Sequence, residues 1–232
     1  MLARFRLLPT DMKTRHASTL QDETYDTLRH WLMLGRWLPG ERLKIKPLAD
    51  ELGVSPMPVR AALQRLAAEK ALQNVPNCGA MVPRLTVAQF DDILHNRILL
   101  EGEAASLGAQ RLAEDQRQEL VALCRAMDAA IAADDVKAYL DANECFHRLL
   151  YRAAGSPLLL SLIETVWLYV GPISNQLHQD LAVWKTMNDA HRALVAALLA
   201  GDAEGVRAAI AEDLRSAGRY LRQLCTADAP AG

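Results

Sequence analysis

The stretch Lys46-Pro-Leu-Ala-Asp-Glu-Leu-Gly-Val-Ser-Pro-Met-Pro-Val-Arg-Ala-Ala-Leu-Gln-Arg-Leu-Ala-Ala-Glu-Lys-Ala-Leu72 decides how the front of this chain folds. It reads as two short helices joined by a tight turn. Leu48, Ala49 and Leu52 give the first helix an apolar face, and Gly53 ends it where a left-handed backbone is cheap. Ser55 is a natural N-cap for the second helix. Pro56 and Pro58 occupy its first turn, where a missing N–H loses no helical bond. Val59, Leu63 and Leu66 recur at helical spacing and pack inward, leaving Met57, Arg60, Ala61 and Gln64 outside. A helix-turn-helix with an arginine on its outer face is shaped to enter a major groove.

The flanks extend the pattern. Thr24 to Leu34 is an amphipathic helix stopped by Gly35 and the Pro39-Gly40 turn, and Gln73 to Pro83 reads as two short strands around a turn at Pro76 to Gly79. Helix, helix-turn-helix and hairpin in that order predict a winged helix-turn-helix over residues 18–84, preceded by a tail, residues 1–17. Charge divides at the same place. Residues 1–84 hold 13 Lys/Arg against 8 Asp/Glu, whereas residues 85–232 hold 13 against 20. A basic front and an acidic back fit a DNA reader joined to a domain that does something else. The four cysteines form no Cys-x-x-Cys pair and read as reduced, packed thiols. The N-terminus lacks the apolar core of a signal peptide, and the apolar run Leu158–Ile173 is broken by Glu164 and Gly171-Pro172. The expectation is a cytoplasmic protein, with that run a buried helix and no membrane partner.

From Thr86 onward the chain reads as an all-α domain, residues 85–225, followed by a tail, residues 226–232. Helices are predicted near 86–112, 115–133, 135–153, 157–179, 185–200 and 203–224, so the fold class is mostly α with a bundle of about six helices. Polar residues interrupt the apolar stripes of four of them. Val136, Leu140, Asn143, His147 and Leu150 share one face. Met187, His191, Leu194 and Leu198 share another, as do Val206, Ile210, Asp213, Ala217 and Tyr220. Ile93, Arg97, Leu100, Ala104 and Leu107 form the fourth. Burying an unpartnered polar group costs roughly 2–7 kcal/mol, so these groups are expected to face one another or a ligand. Asn143 and His147 stand one turn apart, and His191 and Asp213 complete a four-donor set suited to zinc, nickel or manganese. Arg97 offers a fork to a carboxylate. Trp167 and Tyr169 are expected in the core or a dimer contact.

The runs Gly35-Arg-Trp-Leu-Pro-Gly-Glu-Arg-Leu43, Leu48-Ala-Asp-Glu-Leu-Gly-Val-Ser55 and Pro58-Val-Arg-Ala-Ala-Leu63 resemble the DNA-binding domain of GntR-family regulators. Two positions depart from that pattern: Pro56 stands where the family has an arginine after the turn serine, and Ala61 where it has a glutamate. Asn143-Glu-Cys-Phe-His147, His191, Gly201-Asp-Ala-Glu204 and Arg97-Ile-Leu-Leu-Glu101 are similar to the FCD effector domain of the FadR-type group. Its metal pattern matches at Asn143, His147 and His191, while Asp213 occupies the place of the last histidine.

The resemblance implies a regulator, acting as a repressor, that binds a pseudo-palindromic operator as a homodimer. Arg60 would read bases with Met57 and Gln64 beside it, Lys46 and Arg65 would neutralise phosphates, Ser55 would join the DNA contacts, and the Asn77-Cys78-Gly79 wing tip would approach the minor groove. A small carboxylate held by a divalent metal and Arg97 would control that binding. Two other readings are a metal-responsive regulator without an organic effector and a metalloenzyme acting on an organic acid.

Overall fold

The computed structural model describes residues 19–75, 79–174, 176–177 and 181–227. The expected N-terminal tail, most of the C-terminal one, and Pro76, Asn77 and Cys78 of the predicted wing turn lie outside the described residues. Helix α1 (Leu20–Met33) starts four residues before the predicted Thr24, because Thr19 and Asp22 form a capping box. The Thr19 hydroxyl accepts from the Asp22 N–H at 3.2 Å, and the Asp22 carboxylate accepts from the Thr19 N–H at 3.3 Å. Helix α2 (Ile45–Leu52) ends at Gly53, whose φ is 67°. Helix α3 (Pro56–Ala68) begins after Ser55, which takes the N-cap position without a side-chain capping bond. The third helical residue is Pro58, so one of the two N–H groups a cap can reach does not exist.

Residues Arg42–Leu43 form a strand (β1) that the sequence reading did not anticipate, since two residues cannot display an alternation. Strands β2 (Gln73–Val75) and β3 (Gly79–Met81) make the expected hairpin, and the antiparallel order is β1-β3-β2, with Ala80 opposite both Leu43 and Asn74. Gly79 has φ 101°, and a Cβ there would stand 2.2 Å from the Leu43 carbonyl oxygen. Only glycine lets β3 come this close to β1. Leu28, Leu32, Val59, Leu66, Leu43 and Val82 are buried between helices and sheet.

Seven α-helices follow among the described residues: α4 (Val87–Arg111), α5 (Glu114–Ala132), α6 (Val136–Ala153), α7 (Pro157–Ser174), α8 (Leu181–Thr186), α9 (Asp189–Leu199) and α10 (Ala203–Leu221). Helix α4 packs against α6 and α10, and α5 against α6, around Phe146, Leu150, Met127, Leu194 and Ile210. Two of the predicted spans need correction. Helix α7 stops at Ser174 rather than 179, two residues beyond Pro172, whose ring removes a helical hydrogen bond. The predicted helix 185–200 is two helices. Asn188 breaks it, because its buried side-chain amide donates to the Cys124 carbonyl oxygen at 2.9 Å and to Asp128 at 2.7 Å.

The two parts are joined by a packed junction. Leu168 of α7 belongs to the core of the winged domain, and the Tyr169 hydroxyl donates to the Glu69 carbonyl oxygen at 2.9 Å. Glu164 pairs with Arg29 of α1 at 3.2 Å and with Arg148 of α6 at 3.3 Å. A Cβ on Gly171 would come 2.4 Å from the Met33 carbonyl oxygen, so α7 and the end of α1 are in backbone contact. Helix α7 meets the length and hydropathy of a membrane span, yet it carries this ion-paired glutamate. It was expected to be buried; only 33% of it is, and Leu158 and Leu162 face outward at 72% and 46% exposure. The interruption at Glu164 marks the face turned to α1 and α6, and the leucines on the other side stay largely exposed among the described residues.

Candidate functional site

The interrupted stripes converge. His147 of α6, His191 of α9 and Asp213 of α10 offer two nitrogens and a carboxylate oxygen within 4.8 Å of one another. The His147 and His191 Nε2 atoms are 3.1 Å apart, Asp213 lies 3.8 Å from His147 Nε2 and 3.9 Å from His191 Nδ1. Each helix brings its residue in for the same reason: the apolar neighbours one turn away, such as Leu150, Leu194 and Ile210, are anchored in the core.

Behind this triad runs a chain of hydrogen bonds that fixes a tautomer. The Tyr151 hydroxyl donates to Glu101 at 3.0 Å and sits 3.0 Å from His147 Nδ1. With its one proton committed to Glu101, that hydroxyl accepts from Nδ1–H, which leaves the Nε2 lone pair of His147 facing His191 and Asp213. Arg97 completes the chain, donating from Nε to Glu101 at 2.6 Å. Burial works against charge on Arg97, but the adjacent Glu101 carboxylate prevails and raises its pKa. Burial, with His191 and Arg97 nearby, lowers the pKa of His147 to about 3 against the pull of Asp213. His147 is therefore a neutral nitrogen donor at physiological pH.

The residues present fit a divalent metal. His191 Nδ1 is buried and has no hydrogen-bond partner among the described residues, although it faces a carboxylate. Two imidazoles with lone pairs turned toward a shared carboxylate form a donor set that lacks an acceptor of electron density. The triad opens on a cavity of about 510 Å³, whose wall also holds Arg97, Glu101, Asn143 and Trp167. Met33 and Leu34 at the end of α1 line it too, so the cavity touches the winged domain.

All five residues singled out in the helical half, Arg97, Asn143, His147, His191 and Asp213, thus line one cavity. Glu101 and Tyr151 were missed as partners. Each stands four residues after a flagged one, on the same helical face, which is the signal that would have found them. Trp167, expected in the core or a dimer contact, packs against the core of the helical domain and also lines the cavity, while Tyr169 joins α7 to the winged domain.

On α3, Met57 (66% exposed), Arg60 and Gln64 lie on the outer face, and Lys46 and Ser55 are exposed beside them. Arg60 makes no ion pair among the described residues, unlike Arg65, whose guanidinium lies 3.7 Å over the Tyr25 ring and pairs with Glu69 and Asp22. Gly79 serves the β1–β3 approach described above.

Comparison with known proteins agrees with this division. Residues 20–82 match the family described as bacterial regulatory proteins of the gntR family, and residues 92–216 match the FCD domain. The chain is 34% identical to the HTH-type transcriptional regulator McbR of Escherichia coli K12 over 88% of this chain and 93% of the relative. The solved structure of McbR superimposes with a TM-score of 0.82 at 32% identity, covering 89% of this chain and 99% of that one. The HTH-type transcriptional repressor GlaR of the same organism is 25% identical over 77% of this chain and 84% of its own. These are transcriptional regulators, not enzymes, which sets aside the metalloenzyme reading. The chain belongs to the GntR family of DNA-binding transcriptional regulators, in the FadR-type group that carries an FCD domain behind its winged helix-turn-helix.

Proposed function

We propose that the chain represses transcription as a homodimer on a pseudo-palindromic operator, and that a carboxylate metabolite bound through a metal in the helical domain releases the DNA. One observation carries the reading: two buried imidazoles and a half-buried carboxylate form a donor set that shares a cavity with Arg97 and Asn143, and the wall of that cavity includes the end of α1. His147, His191 and Asp213, with Asn143 as a fourth donor, would hold zinc, nickel or manganese. Such an ion supplies a Lewis-acid site for a carboxylate oxygen. Arg97, fixed by Glu101, presents its remaining N–H groups to the same ligand. An acid that fits one placement of α1 and α7 better than another shifts the DNA-binding heads by that difference in affinity.

On the DNA side, Arg60 reads base edges with Met57 and Gln64 at its sides. Lys46 and Ser55 contact phosphates, and Gly79 lets the wing lie close to the sheet. Arg65 is the weaker phosphate ligand, since it already serves Tyr25, Glu69 and Asp22. The outward leucines of α7 suit burial against a second copy. A regulator of this kind works where the chromosome is, in the cytoplasm. Sensing of a metal alone is the second reading, and a cavity of about 510 Å³, far larger than an ion requires, favours an organic ligand.

The test is fluorescence anisotropy of the zinc-loaded dimer on DNA from its own promoter region. Sequence-selective binding at moderate salt is expected, weakened by carboxylates in the zinc form and not after chelation. Absence of selective binding, or acids acting equally without metal, would overturn the proposal.

A further inference from the structure

We infer that Met57 determines operator specificity by lying against the 5-methyl group of a thymine in the major groove, within two base steps of the pair that Arg60 reads. The inference rests on the proposal that α3 carries the base contacts, and it names the base that Met57 selects. Position is the first support. Recognition helices of this kind touch base edges with their N-terminal residues. Met57 is the second residue of α3 and stands three before Arg60 and four before Ala61, on one face of the helix. Three residues advance about 4.5 Å along a helix axis, less than two base-pair steps of about 3.4 Å each.

Exposure is the second. Met57 is the one large apolar side chain of residues 45–68 that lies exposed, and it joins none of the apolar clusters among the described residues. Val59, Ala62, Leu63 and Leu66 already fill the inward face of α3, so Met57 adds nothing to the core. Its surroundings suit a polyanion. No acid occurs between Glu51 and Glu69, and the exposed Lys46 and Arg60 make no ion pair among the described residues. Chemistry is the third and most specific support. A thioether is only a weak hydrogen-bond acceptor, so it reads little of the donor and acceptor pattern on base edges. In the major groove only thymine adds a methyl to that pattern. A flexible, polarizable side chain adapts to such a group, and the small, half-buried Ala61 beside it lets the helix come close.

Selection from a randomised duplex library by the full chain, zinc-loaded and free of acid, yields the half-site. Anisotropy on that duplex, with each thymine replaced in turn by uracil, then tests the contact, because uracil keeps every hydrogen-bonding group of thymine and lacks only the methyl. One replacement per half-site should weaken binding about fourfold, and the same replacement in both half-sites about fifteenfold, the yield of burying one methyl at each. Met57→Ser should bind the thymine and uracil duplexes alike, with the affinity that the wild type shows for the uracil form. Met57→Leu keeps the apolar surface and should keep the preference. A half-site without thymine, or one that no uracil weakens, would overturn the inference while leaving DNA reading by α3 intact. A uracil penalty that survives Met57→Ser would give the methyl to another side chain and overturn it too. Failure to select any sequence would sink the DNA-side proposal with it. Should the serine variant not fold, the wild-type uracil series still decides, since the absence of a penalty refutes the methyl contact.

Discussion

His147 owes its chemistry to its neighbours. Glu101 takes the proton of Tyr151, Tyr151 takes that of Nδ1, and the remaining lone pair is aimed at His191 and Asp213. Removing one member of a three-donor set lowers metal affinity steeply. His191→Ala should abolish the rise in melting temperature that zinc gives the wild type, a rise worth about 2.7 kcal/mol at a hundred times the dissociation constant; an undiminished shift in differential scanning fluorimetry would refute the ligand role. The same burial makes the metal-stripped protein acid-sensitive. The folded pKa of His147 is about 3, below its ordinary 6.5, so the unfolded chain takes up a proton that the native one refuses. Stability is full above pH 6.5 and is lost as pH falls toward 3, by about 2 kcal/mol at pH 5. The groups facing that ring are His191, Asp213, Arg97 and Tyr151. Urea unfolding of the stripped protein should therefore show a larger loss between pH 7 and 5 than the His147→Asn variant, and equal losses would count against this account. The polar interruptions at Arg97, Asn143, His147, His191 and Asp213 were legible because each breaks a helical stripe. Trp167 was not, since an aromatic in an apolar run gives no sign of whether its N–H will find a partner.

Among the elements, α3 shows how far local pattern reaches. Its buried and exposed faces follow from spacing alone, because Val59, Leu63 and Leu66 can only face the core of α1 and α2. Arg60 and Arg65 look equivalent in the sequence. In the fold, Arg65 lies over Tyr25 and pairs with Glu69 and Asp22, whereas Arg60 makes no ion pair among the described residues. Arg60→Ala should cost about 1–3 kcal/mol of operator affinity and relax sequence preference, whereas Lys46→Ala should weaken all DNA equally and flatten the salt dependence. Equal loss of preference in both variants would contradict the assigned roles. Elements defined by long-range pairing were less legible. Strand β1 exists because β3 offers it an edge, and the break between α8 and α9 exists because Asn188 reaches Cys124 and Asp128 across some sixty positions of chain. Neither cause leaves a local periodicity to read.

At the level of the whole molecule, the cavity and the DNA-binding head are mechanically one object. Met33 and Leu34 line the cavity, the Met33 carbonyl lies against Gly171, and the Arg29–Glu164–Arg148 cluster ties α1 to α6 and α7. Under the proposed function, a ligand pressing on this junction would change where the DNA-binding domain can sit without touching DNA. Coupling of this kind is reciprocal: if the acid weakens operator binding by some factor, operator DNA must weaken acid binding by the same factor, typically about 5–150-fold. Met33 is where the two effects can be separated, because it lines the cavity yet is neither a metal donor nor part of α3. Met33→Ala should leave zinc affinity and operator affinity in the absence of acid near wild type, while the factor by which acid releases DNA falls toward one. Anisotropy titrations with and without acid, paired with calorimetry of acid binding with and without operator, measure both sides of the cycle. A variant that still releases DNA with the wild-type factor would show that the signal leaves the cavity by some route other than the end of α1.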